Sequence, residues 1–167
     1  MAPGDLIVTP RGLRYRGAYY PFVLGRGGIA ANKCEGDGAT PVGVHRVVGM
    51  FYRPDRIAAP SSWALPILPN DLWCDAPSHA MYNQLVRRPF FASHEVLRRA
   101  DPQYDLVLVT NWNWPKAVSG KGSAIFIHQW RRPGHPTAGC IGLDRHDLQK
   151  IARDLKPNTR VIVRPQP

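Results

Sequence analysis

A chain of 167 residues with 44% hydrophobic side chains is sized for one domain with its own core. It has no apolar run long enough for a membrane-spanning helix, and its three cysteines are too few and too scattered for a disulfide framework or a CxxC pair, though one bridge between two of them stays open. The formal charge of +10 admits polyanions as partners, but Lys and Arg are spread along the chain without a nucleic-acid-binding motif, so nucleic acid is not expected.

The N-terminal "MAPGDLIVTPRGLRYRG" lacks an apolar stretch of signal-peptide length, which on targeting grounds alone points to the cytoplasm. "DLIVT", "LRYRG" and "YYPFVLG" are short, rich in Val, Ile and Tyr, and separated by turn residues. They predict consecutive hairpins turning at Arg11-Gly12 and Arg16-Gly17. "VGVHRVVGMFY" predicts a longer strand. The proline-rich stretch from Arg53 to Pro69 then reads as an ordered surface excursion and part of a cleft wall.

Ser78 to Val86 and Ser93 to Asp101 each begin with a potential capping Ser and are expected to be short helices. "DLVLVTNW", "SAIFIHQ" and "CIGL" predict strands. "DRHDLQKIARDL" predicts the clearest helix, from Asp144 as N-cap to Leu155, with Leu148, Ile151 and Leu155 on one stripe and Pro157 as the stop. "RVIVRP" closes the chain as a strand. No internal repeat interrupts this order. The expected fold is mainly β and mostly antiparallel: a β-sandwich or partly closed barrel with a few short helices, one domain over 1–167.

Chemistry concentrates in "SAIFIHQWRRPGHPTAGCIGL". Alternation puts Ala124, Phe126 and His128 on one strand face, and His128 ends the strand. Cys140 follows a glycine twelve positions later. Gly139 allows close backbone approach, the Gly139 and Cys140 amides are candidate oxyanion donors, and Thr137 can hydrogen-bond the local backbone. A cysteine is mostly thiol at neutral pH, and an adjacent imidazolium would favour its thiolate. A Cys–His pair of this kind performs acyl transfer through a thioester. The competing reading is a small buried cysteine in a packed turn. A metal site built from His128, His135 and Cys140, with Cys74 or His79, fits no known zinc spacing, and neither metal nor cofactor is expected.

"HQWRRPGHPTAGCIGL" resembles the signature of the L,D-transpeptidase (YkuD-type) family: a strand-end His, a variable loop, then Ser/Thr-x-Gly-Cys and an apolar residue. Those positions are His128, Thr137, Gly139, Cys140 and Ile141. Upstream, "NKCEGDGATPVG" resembles the family's Gly-Asp-x-x-Thr-Pro-x-Gly segment, with Lys33, Gly36, Asp37, Gly38, Thr40, Pro41 and Gly43. The resemblance covers nearly the whole chain and looks closest to a short proteobacterial branch.

The resemblance implies a cysteine acyltransferase that cleaves the peptidoglycan stem peptide after meso-diaminopimelate at position three and passes the acyl group to an amine. Cys140 is then the nucleophile and His128 the proton shuttle, while the Asp37-to-Gly43 segment is a structural turn. The branch is associated with 1,3 rather than 3,3 crosslinks. Many members carry His two residues before the Cys and Arg two after it; here those positions are Ala138 and Gly142, and Gln129 follows the catalytic His. Arg26, Lys33, Arg131 and Arg132 are candidate replacements for the missing guanidinium.

"DLWCDAPSHAMYNQ" and "QYDLVLVTNWNW" add Trp73, Asp75, Tyr82, Asn83, Tyr104, Asp105, Asn111 and Trp112 as cleft or buried polar candidates. Of these, Tyr104 and Asn111 are expected to help bind substrate. The alternatives are an L,D-carboxypeptidase on stem peptides and a noncatalytic basic module that adheres to wall or another polyanion. The expected partners are muropeptides, and the implied reaction places the protein in the periplasm or cell envelope, against the cytoplasmic reading of the N-terminus.

Overall fold

The structure, a computed structural model, describes residues 2–165. Three short strands open the chain: β1 (Leu6–Thr9), β2 (Gly12–Tyr15) and β3 (Ala18–Tyr20). Thr9 pairs with Gly12, so the first turn falls at Pro10-Arg11, one residue earlier than the sequence predicts. Gly12 belongs to the strand because a Cβ there would meet Tyr20 O at 2.8 Å. The second turn is at Arg16-Gly17, both at positive φ, the conformation that matches the twist of a two-residue hairpin.

After Pro21 come β4 (Phe22–Val23), β5 (Ile29–Ala30), β6 (Thr40–Pro41) and the long β7 (Gly43–Tyr52), followed by β8 (Leu65–Pro66). β12 (Leu106–Thr110), β13 (Phe126–Gln129), β14 (Ile141–Leu143) and β15 (Arg160–Val163) complete the main sheet, in the order β3-β2-β1-β15-β7-β12-β13-β14-β4 with β8 beside β7. The pairings are antiparallel except β1/β15, β13/β14 and β7/β8. The two edges of this order, β3 and β4, are separated in sequence by Pro21 alone. The sheet therefore curls until its edges adjoin, a nearly closed barrel, and proline has no N–H to continue the ladder there.

Helix α1 (Arg145–Asp154) packs its apolar face onto the core of the curled sheet and leaves Arg145, His146, Lys150 and Arg153 exposed. Asp144 caps it through His146 N, and Leu148, Ile151, Ala152 and Leu155 join Leu108, Ile127 and Ile141 in the main core. The opposite face of β12 and β13 buries Val107, Val109 and Phe126 in a second cluster with Trp73, Leu97 and Tyr104. That cluster is covered by a three-stranded sheet, β9 (Asp71–Cys74) flanked by β10 (Leu85–Arg87) and β11 (His94–Val96), with a 3₁₀ turn at Pro102–Tyr104.

Both segments read from sequence as capped helices are therefore not helical. In the first, Asn83 sits at φ 58 and spends its side chain on Trp73 Nε1, Ala124 N and the carbonyls of Trp112 and Asn113. In the second, Glu95 and Val96 pair across to Trp73 and Leu72. Long-range ladder bonds override local propensity at both places. The proline-rich excursion forms no cleft wall. It closes the main core with Ile57, Trp63 and Ala64, and Trp63 Nε1 donates to Leu155 O at 3.1 Å.

Candidate active site

His128 and Cys140 are brought to one face, lining one cleft, by the register of the parallel pair β13/β14. His128 lies opposite Gly142, and Cys140, two residues before Gly142, shares its face. That face opens into a cleft of about 580 Å³ between the main sheet and the small one. The loop that carries Cys140 is held by main chain. A Cβ on Gly25 would fall 2.1 Å from Gly38 O and 2.8 Å from Gly139 Cα, so three glycines let three backbone segments touch. Thr40 Oγ1 donates to Gly139 O at 2.9 Å and accepts from Gly25 N at 3.1 Å. Thr137 Oγ1 donates to Cys140 O at 2.6 Å and accepts from Gly139 N at 3.1 Å. The Gly139 amide is thus already engaged, contrary to its expected place among the oxyanion donors.

The Asp37 turn is the other half of this scaffold. Asp37 accepts from Ala39 N at 2.8 Å, Cys34 N at 2.8 Å and Lys33 Nζ at 2.5 Å. These contacts help draw its carboxyl below the usual range against the opposing effect of burial, which is the largest single influence. Lys33 lines the cleft but is buried and committed to Asp37 and to Cys34 O.

The cleft holds a neutral pair. Burial pushes the Cys140 thiol up to about 12, reinforced by the charge of Glu95, and pushes the His128 imidazole down to about 4. The resting state is thiol and neutral imidazole, in place of the imidazolium–thiolate pair expected from sequence. Sγ donates to Ala124 O at 3.1 Å and accepts from Phe126 N at 3.4 Å. His128 Nδ1 lies 2.7 Å from Gln129 O; a carbonyl only accepts, so Nδ1 carries the hydrogen and Nε2 keeps the free lone pair. The ring is braced edge-on by Tyr104, 5.1 Å between centroids.

Arg26, Arg131 and Tyr104 line the cleft with Cys140 and His128. The guanidinium groups of Arg26 and Arg131 make no hydrogen bond or ion pair among the described residues. Arg132 is exposed on the loop outside the lining, and Asn111 is structural, its Oδ1 accepting from Arg46 N at 2.7 Å. Gly142 has no room for the family's Arg: a Cβ would meet Val23 Cγ2 at 2.7 Å and Trp130 Cβ at 3.2 Å. Of the other polar candidates, Asp75 lines the cleft, whereas Trp73, Asn83 and Asp105 are buried scaffold. Sequence reading missed Glu35, Glu95 and Arg99, which also line it. Glu35 accepts from Tyr82 and Ser123, Glu95 accepts from Tyr104, and Arg99 pairs with Asp101 at 2.6 Å. Glu35 stands inside the "NKCEGDGATPVG" segment without being singled out by it, and nothing local marks Glu95 and Arg99, which reach the cleft only because the small sheet folds over it.

All three cysteines are free, Cys34 exposed and Cys74 buried. Among the described residues no three His, Cys, Asp or Glu side chains converge as metal ligands, and no helix is long and apolar enough to cross a membrane. No curated protein and no solved structure matches the chain. A family model does: the YkuD L,D-transpeptidase catalytic domain matches residues 7–163, a span that begins in β1 and ends with β15. With the match running through every strand of the main sheet and both halves of the cleft scaffold, the chain belongs to the YkuD L,D-transpeptidase family.

Proposed function

We propose that the protein is a peptidoglycan L,D-transpeptidase that works through a thioester on Cys140. The observation that carries this is the shared face of Cys140 and His128 at the floor of the cleft, in a chain of this family. The carbonyl of meso-diaminopimelate at position three of the stem peptide binds beside Sγ. Sγ attacks it as Nε2 of His128 takes the thiol proton, and the oxyanion is met by the Cys140 amide. His128 then passes that proton to the departing amine, leaving the thioester. A free thiol and imidazole do not exchange a proton at rest in this cleft, so attack and proton transfer occur together once a carbonyl is in place. The two unpaired guanidinium groups, Arg26 and Arg131, hold the stem-peptide carboxylates in place of the Arg that Gly142 cannot be. Acceptor attack completes a 3,3 or, as the branch resemblance favours, a 1,3 crosslink, in the cell envelope.

Purified protein incubated with tetrapeptide and pentapeptide muropeptides tests this by intact-mass and fragmentation spectra. Crosslinked dimers from wild type and none from Cys140→Ala are expected, and the fragments identify the bond as 1,3 or 3,3. Shortened stems without dimers would make the enzyme an L,D-carboxypeptidase. Unaltered activity in Cys140→Ala would sink the thioester mechanism.

A further inference from the structure

Aminolysis of a thioester has a proton problem that one imidazole does not solve. An acceptor amine arrives mainly as ammonium at neutral pH. It must lose one proton to become a nucleophile and a second as the amide forms. His128, neutral again after releasing the first product, takes the second proton and returns it to the departing Cys140 thiolate. The first needs another acceptor inside the cleft.

Three carboxylates stand there, and their surroundings differ. Glu35 is occupied by two hydroxyl donors, Tyr82 and Ser123. Asp75 Oδ1 is buried with no hydrogen-bond partner. Glu95 is coupled to both: Asp75 and Glu35 act on its charge, and among the described residues it is the carboxylate that acts on the Cys140 thiol. Its one hydrogen-bond donor, Tyr104, is the ring that braces His128. Glu95 feels the charges of Asp75 and Glu35, and the cleft that all three line with Cys140 holds an Asp75 oxygen without a partner; Arg99 offsets part of that negative charge, and a bound cation would relieve the rest.

We propose that Glu95 and Asp75 seat the ammonium group of the acyl acceptor beside the Cys140 thioester, and that Glu95 takes its first proton. The proposal rests on the acyl-transfer reading above. The step balances: R–NH3⁺ and Glu95 carboxylate give R–NH2 and Glu95 carboxylic acid. The amine then attacks the thioester carbon, a C–N bond forms and the C–S bond breaks. The remaining N–H proton goes through His128 to sulfur, and Glu95 releases its proton to solvent. Burial and the neighbouring Asp75 and Glu35 raise the Glu95 carboxyl, opposed by the Tyr104 hydroxyl and the charge of Arg99, which brings its basicity nearer that of an amine.

The test separates the two half-reactions. Acylation is read as the thioester mass on Cys140, and transfer is read with two acceptors at matched concentration. One is glycinamide, largely ammonium near neutral pH; the other is methoxyamine, already uncharged there. In Glu95→Gln the transfer to glycinamide, relative to acylation, is expected to fall about 10²-fold. It should recover as pH rises, while transfer to methoxyamine follows acylation. Asp75→Asn should raise the apparent KM for glycinamide more than it lowers kcat. Equal loss for both acceptors in Glu95→Gln, or none for either, overturns the proposal. If Glu95→Gln does not fold, the wild-type pH profiles decide: glycinamide transfer that rises only with free-amine concentration up to the amine's own pKa overturns it, and an earlier plateau supports it. Absence of any thioester in wild type would instead refute the acyl-transfer reading, a distinct result.

Discussion

At the scale of single residues, the cleft's main device is desolvation. A buried imidazole with a depressed pKa makes stability fall on the acid side. The unfolded His titrates near 6.5 and the folded His128 near 4, so protons bind the unfolded chain first as pH drops through that window. Above about 6.5 the contribution is fully present; by about 4 this residue alone has removed about 3 kcal/mol. Urea unfolding at pH 7 and pH 4.5 should therefore show a smaller acid-side loss in His128→Gln than in wild type. Equal losses would mean that His128 is not held neutral. The thiol makes the complementary prediction. Iodoacetamide at neutral pH should label exposed Cys34 well before Cys140, which is 8% exposed and protonated, as read by peptide mass mapping. The His and Cys were legible in the sequence from spacing and strand alternation. Their protonation states were not, because burial on both sides of a sheet has no local signature.

At the scale of elements, the sequence was most readable where one local rule suffices. Short runs of Leu and Val in β12 and of Val and Ile in β15 mark those strands, and Asp144 with the Leu148–Ile151–Leu155 stripe marks α1 to within a residue at each end. It misled where partners are distant. Asn83 and Glu95 sit in segments with a Ser cap and mixed apolar residues, and only pairing to β9 fixes their conformation. The parallel ladder β13/β14, which creates the active face, likewise needs a crossover that no motif announces. Between elements, the Thr40 hydroxyl bridges two buried main-chain groups, Gly25 N and Gly139 O. Thr40→Val keeps the shape and leaves both groups unpaired, so destabilisation of about 1–3 kcal/mol for each is expected. A denaturant midpoint that matches wild type would show the bridge to be dispensable. Because the bridge reaches the residue before Cys140, acylation should slow as well.

For the whole molecule, the near-closure of the sheet at Pro21 leaves one interior, closed by the apolar stripe of the helix, and puts the candidate site on the outer face under the small sheet. Mostly β character followed from strand length and turn spacing, which left a sandwich and a partly closed barrel both open; the adjoining of β3 and β4 decides for the barrel. The division into an inner and an outer core did not follow, since both faces of β12 are apolar. The +10 charge acts at this scale too. Binding to an anionic polymer should weaken steeply between low and physiological salt, and Cys140→Ala should bind as wild type does. Salt-independent binding in a cosedimentation assay would remove bulk charge as the cause.

The contact of Gly25, Gly38 and Gly139 carries a consequence for how such an enzyme changes over generations. The position of the sulfur is written in main chain, by three residues that have no side chains to mutate inward. The cleft-lining side chains proposed above to meet the ligand, among them Arg26, Arg131, Asp75 and Glu95, hang from other points around it. Substrate preference can therefore drift by side-chain replacement while the nucleophile keeps its address. Ala138, Gln129 and Gly142, three departures from the family pattern, stand within two residues of Cys140 or His128 and leave both in place. A laboratory that wished to redirect the acyl group would leave the glycines alone and rewrite the walls.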